Sequence, residues 1–276
     1  MRTPHNMGVA KVRNIGLEAA RADVVAMLDD DDVYLPRRLS VPLENFARHP
    51  DVVGAISSAI RMRRRGNDPD NPHVLSVPDV KLSSVAFEWA LLCFILGPEG
   101  SGITFRRQDA VAIGGFDERL TWHEDREFLV RLARRGACYL IADTLWEKRW
   151  SADGLTAQAK HAGPALLSLC AARPEYLSRY PKVASYLATR TLVADIRKGL
   201  LNALWRDARS FKRAGLIDGN ISRMWRDHRE VRNYRRKILR PEALAALAGP
   251  PDSWTTGCKK YEDLERGQAW PPSKQS

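Results

Sequence analysis

The sequence predicts an α/β fold: a mainly parallel sheet flanked by helices over residues 1–158, followed by a helical extension. Three observations carry that expectation. Segments with helical spacing of apolar residues alternate with short β-branched runs such as VVAML at 24–28. Those runs are apolar throughout rather than alternating, as expected of strands covered on both faces. Beyond about residue 160 the strand-like runs stop, and amphipathic, arginine-rich helical patterns take over.

Ile15, Leu17, Ala19, Ala20 and Ala22 give residues 12–23 a helical pattern that feeds the strand at 24–28. Pro36 opens a second helix, with Leu39, Leu43 and Phe46 at i, i+4, i+7 and Pro50 as its stop. Residues 51–60 read as a strand. Gly66, Pro69, Pro72 and Pro78 break residues 61–80 into a surface loop or irregular hairpin. Arg61, Arg63, Arg64 and Arg65 in that segment are either a solvated edge or a phosphate-binding group. A strand is expected over 101–107. Gly114 and Gly115 then turn the chain into a helix that presents Phe128, Leu129 and Leu132 on one face, and 137–143 form another strand.

In the extension, Leu201, Leu204, Trp205, Ala208 and Phe211 form one helical stripe, and Ile217, Ile221, Met224, Trp225, His228 and Val231 form another. Together they mark a basic helical region over 159–240. The proline-containing tail, 241–276, reads as loosely ordered.

Charge is distributed unevenly. The chain of 276 residues has a formal net charge of +11, yet residues 1–160 balance 22 Lys+Arg against 22 Asp+Glu. Between Arg197 and Arg240 there are 14 basic residues against four acidic ones. Without an RNP, zinc-finger or P-loop pattern, such a face does not indicate a specific nucleic-acid partner. It fits a solvated surface, an anionic membrane surface or an acidic partner. Cys93, Cys138, Cys170 and Cys258 lie far apart without CxxC spacing, which fits reduced thiols and a cytoplasmic setting. The N-terminus lacks a signal-peptide apolar region. The longest apolar stretch, 89–97, is less than half of the roughly 20 residues a membrane span requires. The expected location is cytoplasmic, with peripheral contact at the inner face of the membrane as the alternative.

Two acidic groups carry chemistry. Asp29, Asp30, Asp31 and Asp32 follow VVAML directly. At an effective dielectric of about 20, two such charges 4 Å apart repel by roughly 4 kcal/mol, so the cluster calls for a cation. Asp29 and Asp31 suit a hard divalent ion, Mg²⁺ or Mn²⁺, held together with substrate phosphates at the carboxyl end of a strand. The other reading is a solvated turn that caps the next helix. Glu124 and Asp125 stand near a helix start, where the helix dipole favours acidic residues and where a general base would also fit. His123 beside them reads as a packed or surface imidazole.

Residues 12–39, VRNIGLEAARADVVAMLDDDDVYLPRRL, followed by GGFDERLTWHEDREFLVRLARRG at 114–136, resemble the family 2 glycosyltransferases, nucleotide-sugar-dependent enzymes of the GT-A fold. The similarity covers about residues 8–156, and the two motifs together are specific. The resemblance implies an inverting transfer of a sugar from a nucleotide-sugar donor to a saccharide, lipid-linked or protein acceptor, with a divalent metal as cofactor. By the same resemblance Arg13 and Asn14 help hold the nucleotide. Asp31 is the direct metal ligand of the DxD motif, with Asp29 as a second, and Asp29 or Asp30 faces the ribose and diphosphate. Asp125 is the general base with Glu124 at the acceptor end.

Two departures qualify that implication. Residues 146–150, WEKRW, match the Gln-x-x-Arg-Trp motif of processive members only in part, because Trp146 replaces the glutamine. Arg149 is left as a diphosphate contact or an ordinary surface arginine, and a processive synthase is not expected. Family members also open with a strand, a helix and a second strand, of which nothing precedes Gly8. The chain is therefore expected to lack the first βαβ unit, and a noncatalytic remnant or binding protein is the alternative function.

Overall fold

The computed structural model describes residues 6–61, 73–149, 162–175, 179–238, 241–247, 251 and 254. Arg63, Arg64, Arg65 and Cys258 lie outside the described residues, as does the side chain of Arg61.

Helix α1 (Val9–Ala19) leads into strand β1 (Val24–Ala26). A short link reaches β2 (Val33–Tyr34), and helix α2 (Ser40–Arg48) precedes the long strand β3 (Val52–Arg61). Strands β4 (His73–Leu75) and β5 (Val80–Leu82), helix α3 (Ser84–Leu92), strand β6 (Ile103–Arg106) and helix α4 (Arg107–Ala112) follow. Helix α5 (Glu124–Ala133) then delivers the chain to β7 (Ala137–Lys148). The sheet runs β1-β6-β3-β7-β2, with β4 on β3 and β5 on β7.

The α/β expectation holds, but the mainly parallel sheet does not. Among the described pairings only β3 with β7 is parallel, and the other five are antiparallel. The reason is local. Ile103, Thr104 and Phe105 of β6 are all buried, with helices covering the sheet, although β6 is antiparallel to both neighbours. An unbroken apolar run reports burial on two faces and carries no information about direction.

Helix α2 is shorter than expected and turned differently. Residues 36–39 form turns, and Arg37 sits at φ 69°, the left-handed region that breaks a helix for a non-glycine residue. Leu39 and Leu43 are exposed, and the buried face is Val41, Pro42, Asn45 and Phe46. Of the expected stripe, only Phe46 faces the core.

Helices α6 (Ala162–Ala172), α7 (Pro181–Arg197), α8 (Leu201–Arg213), α9 (Ile221–Ile238) and α10 (Pro241–Ala245) complete the described elements. They share the apolar core of the sheet: Phe211, Val231, Leu244 and Trp254 belong to one cluster with Phe87, Trp89, Phe105 and Phe128. Among the described residues after Pro241, Leu244, Leu247 and Trp254 pack into this cluster, and the Trp254 ring lies 4.8 Å from Tyr234 and 6.2 Å from Trp89. Parts of the expected stripes stay outside this core, with Leu201, Trp205, Ile221 and Trp225 exposed. Among the described residues no helix is long and apolar enough to cross a membrane.

Candidate functional site

The acidic turn is built on a buried floor. Met27 N still donates to Ile103 O at 3.1 Å, so the chain leaves the sheet just before the aspartates. Asp32 N then donates to Asp29 O at 3.1 Å and closes the turn. Ser101, with no exposure, fastens both ends: its Oγ accepts from Asp29 N at 2.9 Å and donates to Asp32 Oδ2 at 2.6 Å. Arg38 holds that serine in place. Only 2% exposed, it donates to Ser101 O at 3.0 and 2.8 Å, to Ile103 O at 3.1 Å and to Thr104 Oγ1 at 2.7 Å. A buried guanidinium without a carboxylate partner is tolerable when carbonyl and hydroxyl oxygens satisfy its fork.

The glycines of this floor answer a space requirement. A methyl group on Gly100 would stand 2.6 Å from Arg13 Nη2 and 2.7 Å from Asp29 Oδ2. One on Gly102 would stand 2.9 Å from Nε1 of the buried Trp146. Trp146, the departure from the glutamine motif, is therefore a packing residue at the end of β7.

Arg13 joins the two acidic groups. Rising from α1, its guanidinium donates to Asp29 Oδ1 at 2.8 Å and to Glu124 Oε1 at 2.7 Å. The cation that the aspartate run demands is thus supplied within the chain, for Asp29 at least. Arg13 is 14% exposed and lies 5.6 Å from the Phe116 ring centroid, so its position is fixed by packing as well as charge.

The pair at the head of α5 is electrostatically unusual. Burial, followed by the charge of Asp125, raises Glu124 to about 7, against the opposing pull of Arg13. Burial also raises Asp125, while Arg126 and Arg13 oppose the shift and Asp29 adds to it. Those influences place Asp125 within electrostatic reach of both Arg13 and the acidic turn. Next to the pair, His123 occupies the left-handed region at φ 63° and packs its ring 5.3 Å from Phe94. Burial, then Arg126 and Arg190, lower it to about 3, so it stays neutral. Arg126 lies over the Phe94 ring, 3.8 Å from its centroid.

The remaining expected residues divide. Asp30 and Asp31 project to solvent beside the clamped Asp29. Asn14, expected as a nucleotide contact, is engaged within the chain: its Oδ1 accepts from Phe116 N at 2.7 Å, and its Nδ2 donates to Phe116 O at 2.9 Å and Glu118 Oε1 at 3.1 Å. Every hydrogen-bonding group of that amide serves to dock α1 on the 114–118 turn. Arg149 is 61% exposed beside Glu147, while its backbone N–H donates to Asp32 Oδ1 at 3.2 Å. It therefore stands at the rim of the acidic turn.

Sequence reasoning missed Asp32, Ser101 and Arg38, the residues that shape the turn. Asp32 is the buried member of the four aspartates, and burial raises its carboxyl against Ser101 and Lys148. Glu127 was also passed over. It is fully buried and paired with Arg131 at 2.6 Å and Arg173 at 2.9 Å, as a structural acid is. Among the described residues no group of three or more His, Cys, Asp and Glu side chains is gathered for a metal. The donor set of the turn, the exposed Asp31 and the second oxygen of Asp29, fits an ion that takes one or two carboxylates and completes its shell with substrate phosphates and water.

The model of glycosyl transferase family 2 matches residues 1–103. Among curated proteins, the amylovoran biosynthesis glycosyltransferase AmsE of Erwinia amylovora is 26% identical over 132 residues, which is 48% of this chain and 46% of AmsE. A glycosyltransferase of Haemophilus influenzae is 24% identical over 137 residues, 48% of this chain and 43% of its own. The chain thus matches less than half the length of these curated relatives. Among solved structures, S. aureus TarS aligns with 83% of this chain and 71% of its own at 14% identity and a TM-score of 0.42. A TarS structure in complex with UDP-GlcNAc aligns with 87% and 64% at the same identity and TM-score.

Proposed function

We propose, from the match of residues 1–103 to the model of glycosyl transferase family 2, that this chain transfers a sugar from a nucleotide-sugar donor to a hydroxyl acceptor with inversion at the anomeric carbon. The observation that carries the reading is the Arg13 bridge, which brings the acidic turn and the Glu124–Asp125 pair to one guanidinium. A donor-side and an acceptor-side group are then neighbours, as a single displacement requires.

An acceptor hydroxyl is too weakly acidic to attack at neutral pH without a base. In the proposed reaction Asp125 takes its proton as the oxygen bonds to the anomeric carbon and the bond from that carbon to the diphosphate breaks. Positioned base catalysis is typically worth about 10² to 10⁴ in rate. A carboxyl pair whose charge is suppressed by burial is well matched to that task. Arg13 keeps Glu124 and Asp29 oriented, and Arg149 faces the diphosphate from the rim. Asp31, with Asp29, would hold Mg²⁺ or Mn²⁺, which offsets charge developing on a leaving diphosphate. The acceptor is a saccharide, a lipid-linked group or a protein.

The test is release of nucleoside diphosphate from a panel of nucleotide sugars with Mn²⁺. Turnover is expected in the wild type and lost in Asp31→Ala and Asp125→Asn. A folded protein that turns over no donor overturns the reading in favour of a noncatalytic binding role.

Exposed Leu201, Trp205, Ile221 and Trp225 on the arginine-rich helices favour a second property, contact with an anionic membrane surface. Salt-sensitive binding to anionic vesicles that survives Asp125→Asn and is lost in Trp205→Ser would establish it independently of catalysis.

A further inference from the structure

A groove of about 500 Å³ lies between α7 and α9. Its walls carry Arg190, Arg197 and Lys198 from one helix and its end, and His228, Arg232 and Arg236 from the other, with no carboxylate among its lining residues. Arg190, Arg197, Lys198, Arg232 and Arg236 are exposed, and among the described residues none forms an ion pair. A chain ordinarily relieves such crowding by turning the cations apart or interleaving acids. Here two helices turn them toward one concavity.

Two further observations point to a ligand. The Nδ1 atom of His228 is buried and has no hydrogen-bond partner, although its ring packs 5.2 Å from that of Tyr186 in the groove wall. The groove is also linked by a short chain of contacts to the residues before Glu124. Arg235, in the same wall, donates to Tyr186 Oη and to the backbone carbonyl of Phe94. Phe94 in turn packs on His123, the residue before Glu124. Arg235 is thereby held within the groove wall, while Arg190, Arg197, Lys198, Arg232 and Arg236 stay exposed.

We propose that this groove binds a phosphate or diphosphate group carried by the acceptor and holds it while the acceptor hydroxyl reaches the Glu124–Asp125 pair. The proposal rests on the transferase reading above. Guanidinium forks match phosphate oxygens in paired, charge-assisted hydrogen bonds, and convergence of several from two helices selects a multiply charged group over a single carboxylate.

The probe is inorganic pyrophosphate, titrated calorimetrically into the full chain without divalent metal. Arg232→Gln combined with Arg236→Gln is expected to weaken binding at least tenfold, and Arg190→Gln, on the facing helix, to weaken it too. Arg21→Gln, an exposed arginine between α1 and β1, should leave it unchanged. Thermal melts check folding, and if the double variant does not fold, Arg190→Gln decides. Displacement of bound pyrophosphate by glucose 1-phosphate identifies a saccharide-borne phosphate, and displacement by a short-chain phosphatidic acid a lipid-borne one. Equal affinity in wild type and groove variants, or an equal loss in Arg21→Gln, overturns the proposal. Donor turnover is measured separately. Turnover without groove-dependent binding leaves the transferase reading standing and removes this one, whereas groove-dependent binding without turnover removes the transferase reading and, with it, the acceptor role.

Discussion

Arg13 and Glu124 are 111 residues apart in sequence and 2.7 Å apart in the fold. The same guanidinium bonds Asp29, so one side chain from the first helix fixes the spacing between the acidic turn and the carboxyl pair at the head of α5. Helix α1 is seated independently by Asn14, which clasps the backbone of Phe116 from both sides.

Arg13→Ala should therefore damage stability and activity together. Removing one partner from a buried ion pair leaves an uncompensated charge, a loss of about 3 kcal/mol. Above pH 7, where Glu124 is charged, much of that loss should be recovered in the double variant Arg13→Ala with Glu124→Gln, because the stranded carboxylate is gone. Arg13→Lys tests geometry: a single ammonium cannot span two carboxylates as a planar fork does. Chemical denaturation and nucleoside diphosphate release are the measurements. Equal stability of the single and double variants would show that the bridge does little.

Gly100→Ala isolates positioning from folding. The added methyl would meet the ends of two side chains, Arg13 and Asp29, rather than backbone. Those ends can shift, so the expected stability change is small, about 1 kcal/mol or less. The bridge cannot remain as it is, so turnover should fall at least tenfold. Unchanged turnover with unchanged stability would mean that the precise Arg13–Asp29 contact is dispensable.

Much of this arrangement was legible in the sequence, and the limits are physical. The alternation of helical and apolar segments located β1, β3, β6, β7 and α5, because burial imposes a period on the chain. Strand direction was lost because an apolar run looks the same in either orientation, and the outward rotation of Leu39 and Leu43 was lost because Arg37 breaks the helix that would have buried them. Asp29 and Glu124 could be named from motifs, but their meeting on Arg13 depends on tertiary placement. Ser101 and Arg38 left no local signal at all. A serine in a glycine-rich link and an arginine after a proline look like surface residues until the turn folds over them. Asp32 was hidden differently, since four identical residues in a row give no hint of which one points inward.

That hidden difference is testable by comparing neighbours. Asp32→Ala removes the acceptor of the Ser101 hydroxyl and of Arg149 N, both partly or fully buried, and should destabilise the chain by about 1 to 3 kcal/mol. Asp31→Ala changes an exposed side chain and should alter stability by no more than about 0.5 kcal/mol. Under the proposed function the order reverses for Mn²⁺-dependent turnover, which Asp31→Ala abolishes. Melts and metal titrations on the two variants give the comparison, and a large stability loss in Asp31→Ala would contradict its exposure.

The raised carboxyls predict two pH dependences. Glu124 sits at about 7 in the folded chain, above its ordinary 4.5. The folded state therefore binds this proton more tightly than the unfolded one, so its contribution to stability is complete below about 4.5 and is lost as pH rises through 7. At about 1.4 kcal/mol per pH unit, the change across that window is a few kcal/mol at most. Glu124→Gln does not titrate, so the difference in stability between wild type and variant should drift in the variant's favour over the window and level off above pH 7. In turnover, kcat/KM should rise to a plateau as the pair deprotonates, with Glu124 ionising at about 7 and the apparent pKa belonging to the pair. Glu124→Gln should move this acidic limb to lower pH, because Asp125 no longer shares its site with a second ionisable carboxyl. A limb that stays near 7 in the variant would assign that ionisation to another group, and a stability difference that is flat with pH would show that Glu124 is already charged below the window.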